Sequence, residues 1–133
     1  MPSTPRIDRI DHFVLTVASI EATCAFYESA LGMESIEFGD GRKALSFGGQ
    51  KINLHQRGAE FSPNARIATP GSADFCLTTS VPVEEVVSHL KAVGVPIEEG
   101  PVSRTGARAT LMSVYVRDPD GNLVEISNEI GQV

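Results

Sequence analysis

The sequence contains the same pattern twice. Residues 11–17, DHFVLTV, are echoed by residues 73–79, ADFCLTT, and the LGM of residues 31–33 is echoed by the VGV of residues 93–95. Both echoes lie 62 residues apart, as 74 follows 12 and 94 follows 32. A repeat of this length corresponds to one supersecondary unit. The chain is therefore predicted to fold as two copies of one module.

The first copy has the pattern of a βαβββ module. Strand-forming residues occupy 9–17, and Ser19 offers an N-cap oxygen to a helix that ends at about Leu31, before Gly32. Apolar residues recur within this helix at positions 20, 24, 27 and 31. Three short strands are predicted at 34–38, 43–47 and 51–55, separated by glycine-containing turns.

The second copy follows a linker without periodicity. We predict a strand at 73–79, a helix whose apolar positions run from Val83 to Val93, and a short strand at 96–98. A loop at 100–109, strands at 111–117 and 123–127, and a loose tail complete the prediction. The expected organisation is one α+β domain over residues 1–133, with module one at 7–56, the linker at 57–72 and module two at 73–128.

Composition limits the possible partners. The formal net charge is −6 and no cluster of Lys and Arg stands out, which argues against binding to nucleic acid or to an anionic membrane surface. No apolar run is long enough to span a bilayer and none follows the N-terminus as in a signal peptide, so a cytoplasmic location is expected. Cys24 and Cys76 are predicted to be reduced, buried and structural.

Alternation along the strands selects four candidate metal ligands. If Phe13, Leu15 and Val17 pack beneath the helix, then neighbouring side chains point to the opposite face. The same alternation in the other strands places four potential metal ligands on this face: His12, His55, Asp74 and Glu125. They are expected at equivalent strand positions of the two modules. The sequence therefore predicts a cleft lined by two imidazoles and two carboxylates.

Four segments give the chain a resemblance to a known family. They are residues 10–17 (IDHFVLTV), the helix end from Phe26-Tyr27 to Leu31-Gly32-Met33, residues 51–55 (KINLH) and residues 116–125 (VRDPDGNLVE). The chain resembles the vicinal-oxygen-chelate superfamily, which includes glyoxalases, bleomycin-resistance proteins and extradiol dioxygenases. Residues 95–102 (VPIEEGPV) and the Leu54-His55 strand end look most like the glyoxalase domain-containing protein 5 type.

The resemblance implies a fold and a chemistry. Members pair two βαβββ modules into a cupped mixed sheet with flanking helices, and they hold a divalent metal that chelates vicinal oxygens of a small substrate. Carried over by position, the ligands would be His12, His55, Glu125 and Asp74, on Ni, Co, Zn, Fe or Mn. Glu125 would also move the substrate proton. Asp74 departs from the histidine usual in dioxygenases, so it either reaches the metal through water or orients a histidine.

These implications lead to one main hypothesis and two alternatives. The main hypothesis is a glyoxalase I-like lyase or isomerase; the alternatives are an extradiol-type ring-cleaving dioxygenase and a non-catalytic drug-binding protein. Arg104 and Arg108 are predicted to bind a carboxylate or phosphate of the substrate. A homodimer is expected, because the edges of small sheets need covering. Each ligand taken singly also has a plain structural explanation, as a core, surface or capping residue.

Overall fold

The computed structural model describes residues 3–132. It contains two four-stranded sheets and two helices, in the order β1 (His12–Val17), α1 (Ile20–Leu31), β2 (Glu34–Phe38), β3 (Arg42–Phe47), β4 (Gln50–Gln56), β5 (Asp74–Thr78), α2 (Val83–Ala92), β6 (Glu99–Thr105), β7 (Ala109–Arg117) and β8 (Leu123–Gln132). The strand orders are β1-β4-β3-β2 and β5-β8-β7-β6. The predicted pair of βαβββ modules is confirmed.

The two sheets share one pairing scheme. In each sheet the first strand runs parallel to the last, and the remaining pairs are antiparallel. Phe13 of β1 and Phe75 of β5, which occupy the same place in the repeat, touch edge to face with ring centroids 5.1 Å apart. The repeat in the sequence is thus a repeat in space, with a symmetric aromatic contact between the modules.

A single apolar core extends through both modules. Leu15, Tyr27 and Ile52 of module one belong to the same buried cluster as Leu90 and Val124 of module two. Helix α1 is capped at its start by Ser19, whose hydroxyl accepts from the Ala22 amide at 3.1 Å, and at its end, as predicted, by Gly32, whose φ of 66° suits glycine. No helix within residues 3–132 is long and apolar enough to cross a membrane.

Three sequence predictions in module two are wrong. The strand expected at 96–98 is absent, and the region expected to be a loop forms β6, from Glu99 to Thr105. Gly100 and Pro101 suggested a break, but β6 pairs only with β7 at the sheet edge, where a proline lacking an amide hydrogen is tolerated. The expected loose tail continues β8, because residues 128–129 pair with β7 and residues 131–132 resume the pairing beyond a bulge.

The turn between β7 and β8 is organised by one buried carboxylate. Asp118 is 5% exposed, and its Oδ1 accepts from the Asp120 and Asn122 amides at 3.0 Å each. Its Oδ2 accepts from the Asn122 side chain at 2.8 Å and from the Tyr27 hydroxyl at 2.7 Å. Burial and the neighbouring Asp118 raise the pKa of Tyr27, so its hydroxyl remains a donor. The turn is therefore held by hydrogen bonds to both oxygens of one buried side chain.

Replacing Tyr27 by Phe should destabilise the protein without changing its fold. The change removes one of the two hydrogen bonds to the buried Asp118 Oδ2, and because hydrogen bonds to charged groups are the stronger kind, we expect a loss of about 1–3 kcal/mol in the free energy of unfolding. Urea denaturation measures it. Tyr115→Phe is the matched control, because Tyr115 is only half-buried and hydrogen-bonds the exposed Arg104. Equal stability of the two variants would contradict the role of the Tyr27–Asp118 bond.

Candidate functional site

Each sheet has one face beneath its helix and one face turned away from it. In β1, Leu15 and Val17 are buried in the core, while the intervening Val14 is 43% exposed. In β5, Phe75 and Leu77 pack against the core, while Asp74 and Cys76 are exposed. The alternation predicted from the sequence is therefore present in both modules, and the face opposite the helices carries the candidate site residues.

A broad cleft of about 1010 Å³ lies over this face of module two. It is lined by Cys76, Tyr115 and Glu125 from the sheet, together with Arg104 and Arg108. The N-terminal segment and the turn between β3 and β4 form its other walls, through Arg9, Ile10, Gly48, Gly49 and Gln50. The structure thus brings the predicted catalytic residue and both predicted substrate-binding arginines into one cleft.

One oxygen of the Glu125 carboxylate is anchored. The buried Ser113 hydroxyl donates to Glu125 Oε2 at 2.6 Å, and Ser127 lies 2.6 Å from Ser113. Because Ser113 has a single proton and gives it to Glu125, it must accept from Ser127. Ser127 in turn can accept from the Cys76 thiol, which is 3.3 Å away. This relay leaves the second oxygen of Glu125 for the cleft.

Cys76 departs from its predicted burial. It is an exposed, free thiol opposite Glu125 in the sheet register, whereas Cys24 is half-buried in α1. The parity of β5 explains the error, because Cys76 alternates with the core residues Phe75 and Leu77. Desolvation, together with the negative charge of Glu125, raises the pKa of the Cys76 thiol. The thiol is therefore a protonated donor and a poor nucleophile.

Both arginines in the cleft already have carboxylate partners. Arg104 donates to Glu99 at 2.7 Å and to the Tyr115 hydroxyl at 3.0 Å. Arg108 donates to both oxygens of Glu129, at 2.7 and 2.9 Å, and its hydrogen bond lowers the pKa of Glu129. All these side chains reach solvent, where such pairs are weak. An anionic ligand can therefore compete for either guanidinium.

The sheet register corrects the predicted equivalence of His55 and Glu125. His12 pairs with Lys51 and Asp74 pairs with Leu123, so the counterpart of Glu125 in module one is Asn53. His55 is the counterpart of Ser127 instead. His55 also lies opposite Thr16, four residues along β1 from His12, which is roughly 13 Å along the strand. The register thus separates the backbone positions of His12 and His55 by that distance, and their grouping in one metal site stays a prediction.

Asn53 was missed by the sequence analysis. It is 6% exposed, and within the described chain its side-chain oxygen has no hydrogen-bond partner. Its signal in the sequence was a polar residue between two core residues, Ile52 and Leu54. Buried amides are normally hydrogen-bonded, so an unpartnered oxygen at the position equivalent to Glu125 is a candidate ligand atom.

His12 presents one nitrogen to a possible ligand. Its Nδ1 lies 2.8 Å from Asp11 Oδ2, an arrangement that leaves Nε2 available. Among residues 3–132, no three His, Cys, Asp or Glu side chains are close enough together to hold a metal ion. The metal-ligand roles of His12, His55, Asp74 and Glu125 stay predictions.

His55 lies in a different environment from Glu125. It is 2% exposed, so it is not the surface residue that its place near a strand end also allowed. Its Nε2 is 3.4 Å from an Arg42 nitrogen, and its ring meets the edge of Phe61 with centroids 5.7 Å apart. Desolvation and the positive charge of Arg42 lower the pKa of His55. A neutral imidazole is thus built into module one.

Acid should destabilise the protein through His55. Its folded-state pKa lies below its usual value of 6.5, so the unfolded chain binds the proton more readily. The contribution of the neutral His55 to the free energy of unfolding is complete above the usual pKa of 6.5 and decreases as the pH drops below it. Urea unfolding between about pH 7.5 and about pH 5.5 should show this loss in the wild type and in the His89→Gln control, and less of it in His55→Gln. An unchanged pH dependence in His55→Gln would contradict this assignment.

Comparisons with known proteins identify the family. The sequence pattern of the Glyoxalase/Bleomycin resistance protein/Dioxygenase superfamily matches residues 9–126. The chain is 57% identical to Virulence protein STM3117 of Salmonella typhimurium, over 93% of this chain and 86% of that protein. It is 49% identical to Glyoxalase domain-containing protein RDO1 of Mycosarcoma maydis, over 90% of this chain and 67% of that protein.

Solved structures agree with these matches. The crystal structure of Virulence protein STM3117 superimposes with a TM-score of 0.93, covering 95% of this chain and all of that one. Lactoylglutathione lyase from Agrobacterium tumefaciens gives a TM-score of 0.71 at 25% identity, covering 93% of this chain and 96% of that one. The narrower resemblance to the glyoxalase domain-containing protein 5 type is not supported. The chain belongs to the glyoxalase/bleomycin resistance protein/dioxygenase superfamily.

Proposed function

We propose that the protein is a divalent-metal-dependent lyase or isomerase of glyoxalase I-like type, acting on a small substrate with vicinal oxygens. The observation that carries this proposal is the state of Glu125. One of its oxygens is held by Ser113 at 2.6 Å, while the residue lines a cleft that also contains Arg104 and Arg108. A carboxylate oriented in this way, beside cationic groups that bind an anion, suits proton transfer on a bound oxyacid or carbonyl compound.

Glu125 acts as the general base and acid. Its anchored oxygen is stabilised by the relay through Ser113, Ser127 and Cys76, so the side chain keeps one orientation. The other oxygen removes a proton from a carbon next to a carbonyl group and returns it to a neighbouring atom. Tyr115, which lies opposite Glu125 in the register, closes the side of the cleft toward β6.

The arginines select the substrate. A carboxylate or phosphate displaces Glu129 from Arg108 or Glu99 from Arg104, since a bidentate contact with a guanidinium compensates for the lost pair. The cleft volume of about 1010 Å³ is large for a simple oxyacid. It fits better a compound that carries a longer polar arm, such as a thiohemiacetal adduct.

The chain provides side-chain nitrogen and oxygen atoms of the types that bind divalent metal ions. His12 offers an imidazole nitrogen oriented by Asp11, Glu125 offers a free carboxylate oxygen, and Asn53 offers an unpartnered amide oxygen. Asp74 provides a further carboxylate in β5. Such a mixture of nitrogen and oxygen donors serves Ni, Co, Zn, Fe or Mn. A bound ion would supply Lewis-acid polarisation of the substrate's adjacent oxygens.

We also propose a homodimer. Ile7 and Ile10 in the segment before β1 are 84% and 68% exposed, and Val14 of β1 adds apolar surface. Exposed apolar side chains along a short segment favour self-association. Light scattering of the wild type should give twice the chain mass of 14.2 kDa. The double variant Ile7→Asp, Ile10→Asp should shift the measured mass toward that of the single chain. A wild-type protein that is monomeric at high concentration would contradict the dimer.

Turnover should depend on Glu125. With thiohemiacetal adducts of small oxoaldehydes as substrates, Glu125→Gln should lower kcat/KM by about 10²–10⁴ while the fold is retained. Glu129→Gln is the matched control: it removes a carboxylate from the same cleft and frees Arg108, so activity should persist with an altered KM. Full activity in Glu125→Gln would refute the assigned base. Ring cleavage of catechols by the wild type would favour the dioxygenase alternative.

Cobalt binding by single variants should distinguish the residues that ligate the metal from those that do not. In the cobalt-substituted protein, His12→Ala should weaken cobalt binding by about tenfold or more and should change the visible spectrum, because an imidazole ligand is lost. His89→Ala, on the exposed side of α2, is the control and should bind normally. Full cobalt retention in His55→Ala would exclude His55 from the ligand set. A wild type that binds no metal yet holds small aromatic compounds would favour the drug-binding alternative.

A further inference from the structure

A second cavity, of about 560 Å³, lies where the two modules meet, and we call it the junction cavity. Module one contributes the end of α1 and the turn between β3 and β4, and module two contributes β5, α2 and β8. The junction cavity adjoins the Glu125 cleft, but Glu125 and the two cleft arginines do not line it. Its volume is in the range of sites for small organic molecules, which are frequent where two folding units meet.

Most side chains that line the junction cavity are apolar. Leu31, Phe47, Leu77 and Val86 pack against the core but are only partly buried. They therefore keep apolar surface that no other part of the described chain covers. A ligand with an apolar body would remove this surface from water, which is favourable.

The charged groups at the junction cavity favour a cation. Glu85 of α2 provides the one carboxylate among the lining residues, which include no Lys or Arg. Within residues 3–132, no basic side chain forms an ion pair with Glu85. His89, one turn further along α2, donates from Nε2 to the Ser29 carbonyl at 2.8 Å. The exposed carboxylate of Glu85 is thus available to a ligand.

The end of α1 adds to the negative potential. Ala30, Leu31 and the C-cap residue Gly32 all line the junction cavity. The C-terminal end of a helix carries a partial negative charge, which nearby cations stabilise. The last turn of α1 contains no basic residue. A cation in the junction cavity would therefore interact favourably with both the Glu85 carboxylate and the end of the helix.

We propose that the junction cavity binds a small organic cation, an amine that carries an aromatic or branched aliphatic body. The ammonium group pairs with Glu85, and the apolar body lies against Leu77, Val86 and Ile126. An uncharged molecule of the same shape leaves Glu85 without a partner, and an anion is repelled by it. Binding at this site does not depend on the proposed catalytic role of Glu125, although both cavities reach Cys76.

The test uses three probes of similar shape: 3-phenylpropylamine as the cation, 3-phenyl-1-propanol as the uncharged control and 3-phenylpropionate as the anion. Titration of the whole protein with the amine should shift the methyl signals of Leu77, Val86 and Ile126 in NMR. We expect a dissociation constant on the order of 1 mM. The alcohol should bind about fivefold to tenfold more weakly, because it gains neither the ion pair nor the interaction with the helix end. The propionate should bind more weakly still.

Two glutamate variants of α2 test the role of the carboxylate. Glu85→Gln should weaken binding of the amine about threefold to fivefold and leave binding of the alcohol unchanged, because only the ion pair is lost. Glu84→Gln is the matched control, since it removes the same charge from the first turn of α2 at an exposed residue that does not line the cavity. It should bind the amine like the wild type. Glu125→Gln should also bind normally, which separates this site from the proposed catalytic function.

The same titrations give outcomes that overturn the proposal. Equal affinity for the amine and the alcohol would exclude selection by charge. Unmoved methyl signals of Leu77, Val86 and Ile126 at amine concentrations far above that constant would mean that the junction cavity takes no such ligand. Weaker binding of the amine in Glu125→Gln, with no change in Glu85→Gln, would place the amine in the Glu125 cleft instead.

Discussion

The buried carboxylate of Asp118 is the interaction on which the arrangement of the two modules depends. It accepts from the hydroxyl of Tyr27 in α1 and from the backbone and side chain of Asn122 at the start of β8. Asn122 then accepts from the Ala73 amide at the start of β5, and Asp120 accepts from the Ala18 amide ahead of α1. One turn therefore connects the first helix, the linker end and the strand that carries Glu125. Because each partner is buried or bonded, a shift of this turn would displace the catalytic candidate.

The duplication has produced two modules with one scaffold and different chemistry. At equivalent places in the register, module one has Asn53 and His55 where module two has Glu125 and Ser127. The face of module two lies open as a broad cleft with paired arginines, whereas the face of module one is covered by the linker and is anchored by Phe61 on Arg42. The position of the accessible Glu125 carboxylate is thus taken by the Asn53 amide in module one, and the position of Ser127 is taken by the buried His55 imidazole.

Prediction from the sequence succeeded where local chemistry decides the outcome. The helix between Ser19 and Gly32 and the strand alternation depend on capping and parity, and both are present. It failed for β6 and for the end of β8, where pairing between distant residues overrides the breaking tendency of Gly100 and Pro101. The sequence analysis also missed Asn53, because the sequence does not reveal the register in which β4 pairs with β1. A shift of two residues preserves parity and changes the candidate site.

The sequence by itself determined the repeated βαβββ unit, the face on which the polar side chains lie and the presence of Glu125, Arg104 and Arg108 as partners for chemistry. Those features follow from periodicity and residue type, which act over a few positions. Only the tertiary structure decided which polar groups meet. The strand register placed Asn53 opposite Val14, the relay from Cys76 oriented Glu125, and the linker closed over His55. These contacts join residues far apart in the chain, so their geometry is set by packing of the common core and not by local sequence.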